Sequence, residues 1–191
     1  VDLGARGSCT IGGVIATNAG GNQVLRYGMA REHVLGLEAV LADGTVLSSM
    51  NRMIKNNAGL DLKQLFIGTE GLMGVVSKAV LRLQPRPTHS ATAFCGCGDT
   101  GAVTALLARA RSALGPALIS FEVMWPSFYD FMRAGIDAAH PLSGAHGVYV
   151  IIEAGGFDDG VRERLETCLA DALDTGALAD AVIAASVREE R

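Results

Sequence analysis

Aromatic side chains are scarce: six Phe, three Tyr and one Trp in 191 residues. Proline is equally thin, with five, and cysteine numbers only four (Cys9, Cys95, Cys97, Cys168). Four cysteines are too few to staple a chain of this length, so a disulfide scaffold is excluded and reduced, intracellular thiols are expected. No apolar run approaches the ~20 residues of a membrane span, so a soluble protein without a transmembrane segment is expected. The formal net charge of −4 argues against a nucleic-acid partner. Charged residues make up only 19% and hydrophobic residues 49%, which excludes a disordered chain. What is abundant is glycine, 24 residues, well above the usual ~7%. Val1 is not a Met, and no terminus signal marks residues 187–191, so the chain is expected to be part of a longer protein.

The chain is expected to divide near Pro85-Arg86-Pro87, where each proline fixes its own φ and biases its neighbour towards extended backbone. Residues 1–86 hold nine Lys and Arg against six Asp and Glu; residues 87–191 hold seven against fourteen. Thirteen of the glycines lie in the first 74 residues, and only Tyr27 and Phe66 among the aromatics precede residue 87. A basic, glycine-rich half thus precedes an acidic half of ordinary composition.

The second half has clear periodicity. Residues 90–97 read as a strand. Residues 100–114 read as a helix with Val103, Leu106, Leu107, Ala110 and Leu114 at helical spacing, capped by Asp99 or Thr100 and stopped at Gly115. Strands are expected over 117–124, 148–153 and 181–185. A short helix led by Pro126 covers 126–133, and a second long helix covers 161–173 with Val161, Leu165, Cys168, Leu169 and Ala172 on one face. The order β-α-β-(α)-β-α-β is that of a ferredoxin-like α+β unit. Trp125, Phe121, Phe128 and Phe131 are expected to fill its core. It shows no catalytic cluster.

The first half reads as loops and short strands. Residues 34–42 and 45–48 flank Asp43-Gly44, a hairpin signal. Residues 75–83 form another strand and 61–66 a helical turn. Two glycine-rich stretches stand out. In the first, Gly12-Gly13 and Gly20-Gly21 are separated by a short apolar run, with Ser8, Thr10, Thr17 and Asn18 interspersed. Uncovered N–H groups beside small hydroxyls suit the cradling of a phosphate or a planar heterocycle; the same pattern also suits tight turns between strands. The spacing is neither G-x-G-x-x-G nor a Walker loop. The second stretch, residues 66–76, sets Gly68, Gly71 and Gly74 at three-residue intervals ahead of a strand.

Taken together, Cys9-Thr10-Ile11-Gly12-Gly13, Ala16-Thr17-Asn18-Ala19-Gly20-Gly21, Arg26-Tyr27-Gly28, Val34-Leu35-Gly36-Leu37-Glu38, Leu41-Ala42-Asp43-Gly44-Thr45, Asn57-Ala58-Gly59 with residues 61–65, and Gly68-Thr69-Glu70-Gly71 through Val76 resemble the second half of the FAD-binding domain of the vanillyl-alcohol oxidase / p-cresol methylhydroxylase (PCMH) superfamily. The resemblance is to its D-2-hydroxyacid dehydrogenase branch: the D-2-hydroxyglutarate, cytochrome-type D-lactate and glycolate-oxidising enzymes. Residues 87–191 are similar, less specifically, to the opening half of that family's substrate-covering domain, with Phe121-Glu122-Val123-Met124 the best local match. The fold implied is α+β: residues 1–86 as the C-terminal part of a PCMH-type FAD-binding domain, and residues 87–191 as the N-terminal part of a ferredoxin-like FAD-linked oxidase cap domain.

The resemblance implies FAD as cofactor. Ser8, Thr10, Gly12 and Gly13 would lie along the flavin and its ribityl–diphosphate chain, and Ala16, Thr17, Asn18 and Gly20 would line the isoalloxazine and phosphate side. Gly74 and Val75 would meet the adenine–ribose end through their backbone, while Glu70 would order its own loop. Some relatives tether flavin through a His; no His falls in the glycine-rich stretch, so noncovalent FAD is expected. Leu60 replaces the family's usual Tyr, which puts a contact through that ring in doubt, and Leu72-Met73 replaces the commoner Thr-Leu conservatively. The family's upstream phosphate-binding loop, its downstream His-x-Gly-Asp-Gly-Asn-x-His metal motif and its Glu-His-Gly segment are all absent. No catalytic residue is therefore expected within this chain, and a divalent metal in the intact protein would take its ligands from outside it. Alone, the 191 residues are expected to bind FAD weakly or not at all and to show no turnover. The intact protein is expected to oxidise a D-2-hydroxyacid to the 2-oxoacid by hydride transfer to flavin, passing electrons to a quinone, cytochrome or flavoprotein. Alternatives are another FAD-linked oxidase of sugar or ether-lipid type, or a non-catalytic scaffold subunit. A bacterial cytoplasmic location is expected, with mitochondrial or membrane-peripheral placement as the alternatives.

The remaining residues have bland readings. Cys95-Gly96-Cys97 is not a zinc spacing, and both thiols should share one strand face. Cys9 is expected to pack, and His33, His89, His140 and His146 to sit in loops or at the surface.

Overall fold

A computed structural model describes residues 2–135 and 140–185. The chain divides into two compact units, Val1–Pro85 and Arg86–Arg191.

The first unit opens with three short helices, α1 (Ile11–Ala16), α2 (Val24–Tyr27) and α3 (Ala30–His33), where sequence reasoning expected loops and strands. The difference begins at Thr10, whose side chain accepts the Gly13 N–H at 3.1 Å and caps α1 despite two glycines in the first turn. Burial of Ile15 then anchors the helix on a small core with Val34, Leu37, Ala39, Phe66 and Ile67; tertiary contact overrides the poor helix propensity of Gly12 and Gly13. The sheet is β1 (Val34–Val40), β2 (Val46–Ser49) and β3 (Val75–Leu81) in the order β2-β1-β3, all antiparallel. The β1–β2 turn closes as the Asp43-Gly44 signal predicts: the Leu41 N–H donates to the Thr45 carbonyl at 2.9 Å, and Gly44 takes φ +86°. The expected strand 34–42 stops at Val40 because residues 41–45 belong to this turn. The strand 75–83 stops at Leu81, although the Arg82 N–H still reaches the His33 carbonyl. The helical turn at 61–66 is a single 3-10 turn, Leu62–Leu65. Both apolar residues of β2, and Met53, Ile54, Leu60, Leu72 and Val75, are exposed.

The second unit is a four-stranded antiparallel sheet, β4 (His89–Cys97), β5 (Leu118–Met124), β6 (Val148–Gly156) and β7 (Asp180–Ile183), ordered β5-β6-β4-β7. Helices α4 (Thr100–Leu114) and α6 (Val161–Asp174) cover one face and α5 (Pro126–Arg133) lies between β5 and β6 in sequence. This is the ferredoxin-like arrangement expected. Asp99 caps α4 by accepting the Ala102 N–H at 2.8 Å, and Gly115 ends it at φ +50°. β5 begins at Leu118 because Gly115–Ala117 winds into a 3-10 turn around Pro116. β6 runs three residues past its expected end, since it pairs with β4 over the whole of that strand, from His89 opposite Gly156 to Cys97 opposite Val148. β7 starts one residue early, at Asp180 opposite Gly96, and ends at Ile183, two residues short of the expected end.

The main core lies between the sheet and α4/α6: Ala93, Cys95, Cys97, Leu106, Val150, Ile152, Leu165 and Leu169 are all buried in it. The expectation that Trp125, Phe128 and Phe131 fill this core is overturned. They are 56%, 51% and 76% exposed, because α5 inserts only Tyr129, which packs with Phe94 and Tyr149 on the opposite sheet face. Phe121 does pack against the core. His146 lies in a loop, as expected, but is partly buried: it stands edge-on to Tyr149 at 5.9 Å, over Gly96, where a Cβ would strike the imidazole.

Cys95, Cys97 and Cys168 are buried, and burial pushes all three thiols up from the ordinary cysteine range, whereas Cys9 is exposed rather than packed. Since the thiolate is the nucleophile, a disulfide reagent at pH 8 should titrate one thiol rapidly in the folded chain and four after denaturation. Rapid reaction of two or more native thiols would contradict this burial pattern.

Candidate functional site

The two glycine-rich stretches, fifty residues apart in sequence, meet in the first unit. The Gly68 N–H donates to the Ile15 carbonyl at 3.1 Å and the Glu70 N–H to the Ala16 carbonyl at 2.9 Å, tying residues 66–71 to the C-terminal end of α1. Gly12 lies against the start of β3, where a Cβ would stand 4.0 Å from the Val76 carbonyl oxygen. Gly74, at φ +153°, passes close to Val40, with a virtual Cβ 2.8 Å from that carbonyl oxygen and 3.2 Å from the Phe66 ring.

Within this frame the stretch from Gly7 to Gly13 is turned outward, and only Ile15 of α1 is fully buried. The first-turn N–H donors of Ile11 and Gly12 have no intrahelical acceptor. A Cβ on Gly7 would meet nothing within 4 Å, so this backbone is open to close approach. The hydroxyls are partly engaged with their own segment. Ser8 Oγ donates to the Ala5 carbonyl at 3.2 Å and Thr17 Oγ1 to the Gly13 carbonyl at 2.9 Å, leaving lone pairs on each; Thr10 Oγ1 accepts from Gly13 and keeps its proton. Asn18, at φ +47°, uses Oδ1 to accept the Arg31 N–H at 3.0 Å, so its carbonyl end orders the loop. Ala16 is half-buried beside the Glu70 amide that it holds. Gly20 faces the chain's own Val24 and Met29 side chains, and Gly21 lies against the Asp2 backbone. Val75 is exposed at the start of β3. Glu70 sits at φ +54°, a conformation that single non-glycine residues adopt where surrounding contacts hold them.

Ser8, Thr10, Gly12, Gly13, Ala16 and Thr17 therefore line one outward-facing run, and Gly74 and Val75 begin the strand beside it. Sequence reasoning missed Arg31. Its guanidinium donates to the Gln64 carbonyl at 3.2 Å, to Gln64 Oε1 at 2.6 Å and to the Ile67 carbonyl at 2.6 Å. No local sequence pattern marks it, since its partners lie 33 and 36 positions away. Bare amides and small hydroxyls of this kind can receive a phosphate-bearing, planar cofactor; they carry no general base. Among the described residues, no three or more His, Cys, Asp or Glu gather to hold a metal ion, and no helix is long and apolar enough to cross a membrane.

Comparison with known proteins gives two family matches: "FAD binding domain" over residues 1–49, and "FAD linked oxidases, C-terminal domain" over residues 86–191. Similar proteins include the mitochondrial D-2-hydroxyglutarate dehydrogenases of Arabidopsis thaliana, 41% identical over 99% of this chain and 34% of the relative, and of Bos taurus, 42% identical over 98% of this chain and 35% of the relative. The chain thus spans about a third of their length. Among solved structures, an alkyldihydroxyacetonephosphate synthase shares the fold with a TM-score of 0.68 at 21% identity, over 94% of this chain and 35% of that one. The relatives' mitochondrial names overturn the expected bacterial cytoplasmic location. With its second unit matched along its whole length and an FAD-binding match at its start, the chain belongs to the FAD-linked oxidase family.

Proposed function

We propose that this chain is part of an FAD-dependent dehydrogenase that oxidises a D-2-hydroxyacid, of the D-2-hydroxyglutarate or D-lactate kind, to the 2-oxoacid. The observation that carries the reading is the meeting of residues 7–17 with residues 66–76 to leave an outward run of bare amides and small hydroxyls. The similarity to D-2-hydroxyglutarate dehydrogenases along nearly the whole chain supports the substrate class. In this reading residues 1–86 are the C-terminal part of the FAD-binding domain and residues 87–191 the N-terminal part of the domain that covers substrate. The apolar surface left open on β2 and at Met53, Ile54 and Leu60 suits a unit that is completed by more of the same domain.

Bound FAD supplies the hydride acceptor. The residues of this chain bind and orient. Ser8, Thr10, Gly12 and Gly13 would lie along the flavin and its ribityl–diphosphate chain, Ala16 and Thr17 would line the isoalloxazine and phosphate side with Asn18 and Gly20 shaping the loop behind them, and Gly74 and Val75 would meet the adenine–ribose end. Holding the acceptor still against the substrate carbinol is the catalytic contribution of such a cradle. Binding is noncovalent, the base and any divalent metal come from outside these residues, and a quinone, cytochrome or flavoprotein takes the electrons.

The full-length protein should purify with a flavin absorbance band that bleaches on anaerobic addition of D-2-hydroxyglutarate or D-lactate and not with the L enantiomers. The 191-residue chain alone should hold FAD weakly or not at all and not turn over. Full-length protein without flavin, or with flavin that no 2-hydroxyacid reduces, would refute the reading.

A further inference from the structure

Arg31 lies outside every glycine-rich stretch, yet it touches the structure around both. Its main-chain N–H holds Asn18 Oδ1 at 3.0 Å, at the end of the first stretch. Its guanidinium holds the carbonyls of Gln64 and Ile67 together with Gln64 Oε1, immediately before Gly68 in the second. The two stretches are otherwise joined by the Ile15–Gly68 and Ala16–Glu70 backbone hydrogen bonds. The junction is tight: a Cβ on Gly68 would stand 3.1 Å from the Asn18 Cβ and 3.5 Å from Arg31 Nη2, and Asn18 and Glu70 are the two non-glycine residues with positive φ among the described residues. Among the described residues no carboxylate lies within ion-pairing distance of Arg31. Its charge is met by neutral oxygens instead, so geometry rather than charge neutralisation explains its placement. Nη1 meets both Gln64 oxygens and Nη2 the Ile67 carbonyl, a spread of donors set by the planar guanidinium that a single ammonium nitrogen does not reproduce.

We propose that Arg31 is a positioning residue for the cofactor: its fork sets the register between residues 7–18 and 64–70, and through them the affinity for FAD and the environment of the flavin ring, without touching the cofactor itself. The inference rests on the reading of this surface as the FAD cradle.

The test uses the full-length protein and its apoprotein, with Arg31→Lys, Arg31→Ala and Gln64→Ala, and with Leu106→Ala in the second unit as a variant that lowers stability elsewhere. FAD affinity is read by quenching of free-flavin fluorescence, and the flavin environment by the bound visible spectrum. Arg31→Lys is expected to weaken FAD about tenfold, in line with the loss of charge-assisted hydrogen bonds, and to alter the spectrum. Gln64→Ala should weaken it about two- to threefold. Leu106→Ala should lower the melting temperature while leaving affinity and spectrum unchanged. Added guanidinium should restore much of the affinity of Arg31→Ala where sodium at equal ionic strength does not. If wild type binds FAD and both Arg31→Lys and Gln64→Ala bind it with wild-type affinity and spectrum, the inference is overturned while the cradle stands. If wild type holds no FAD, the cradle reading falls and takes the inference with it. Should Arg31→Ala not fold, the Lys and Gln64 variants decide the outcome.

Discussion

Gly74→Ala is expected to destabilise the first unit by about 2–6 kcal/mol and to weaken FAD retention by the full-length protein at least tenfold. The φ of +153° lies in a region open to glycine and costly to an L side chain, on the order of 1–3 kcal/mol. The added methyl would also stand 2.8 Å from the Val40 carbonyl oxygen and 3.2 Å from Phe66 Cε1. The first is backbone of the central strand, opposite Val75, and the second is a buried ring of the small core, so neither can swing aside. Overpacking at such a site adds about 1–3 kcal/mol. Relief requires β3 to move off β1 or Phe66 to shift, and Phe66 begins the loop that donates to Ile15 and Ala16. Urea unfolding of the chain and FAD titration of the full-length protein measure the two effects. A stability within about 0.5 kcal/mol of wild type would contradict the close approach.

Leu106→Ala should cost the second unit about 2–5 kcal/mol, the range for emptying a buried leucine site. Leu106, on α4, is fully buried in the cluster that also contains Val103, Ala110, Leu165 and Leu169. Leu72→Ala, at a side chain 90% exposed in the first unit, should stay within about 0.5 kcal/mol of wild type in the same assay. Equal effects of the two would mean that the helix-covered core of the second unit is misassigned.

The contrast between the two units explains what the sequence made legible. Helix α4 could be read to the residue because its apolar spacing, the Asp99 cap and the Gly115 stop all agree. The β4–β6 pairing was underestimated because residues 154–156 are small and carry little strand propensity; their pairing with His89, Ser90 and Ala91 supplies what their side chains do not. Trp125, Phe128 and Phe131 misled because aromatic content was equated with burial, while the α5 face that packs is set by Tyr129 alone among its aromatics. In the first unit α1 escaped notice since its apolar run is six residues long and contains two glycines; the cap and the burial of Ile15, both set by tertiary context, decide its state. The candidate site was legible as glycine spacing but not as an assembly: the Arg31 fork joins residues 33 and 36 positions away, with no local pattern to announce it.

The central claim is that the backbone of residues 7–17, braced by 66–76, meets the flavin nucleotide. Amide hydrogen exchange of the full-length apoprotein with and without FAD measures it most directly. The account predicts that exchange slows on FAD binding in the peptides spanning 7–17 and 66–76, the outward N–H groups of Ile11 and Gly12 included, while the α4–α6 core of the second unit is unchanged. Saturating FAD that leaves both stretches exchanging at their apoprotein rates would contradict it.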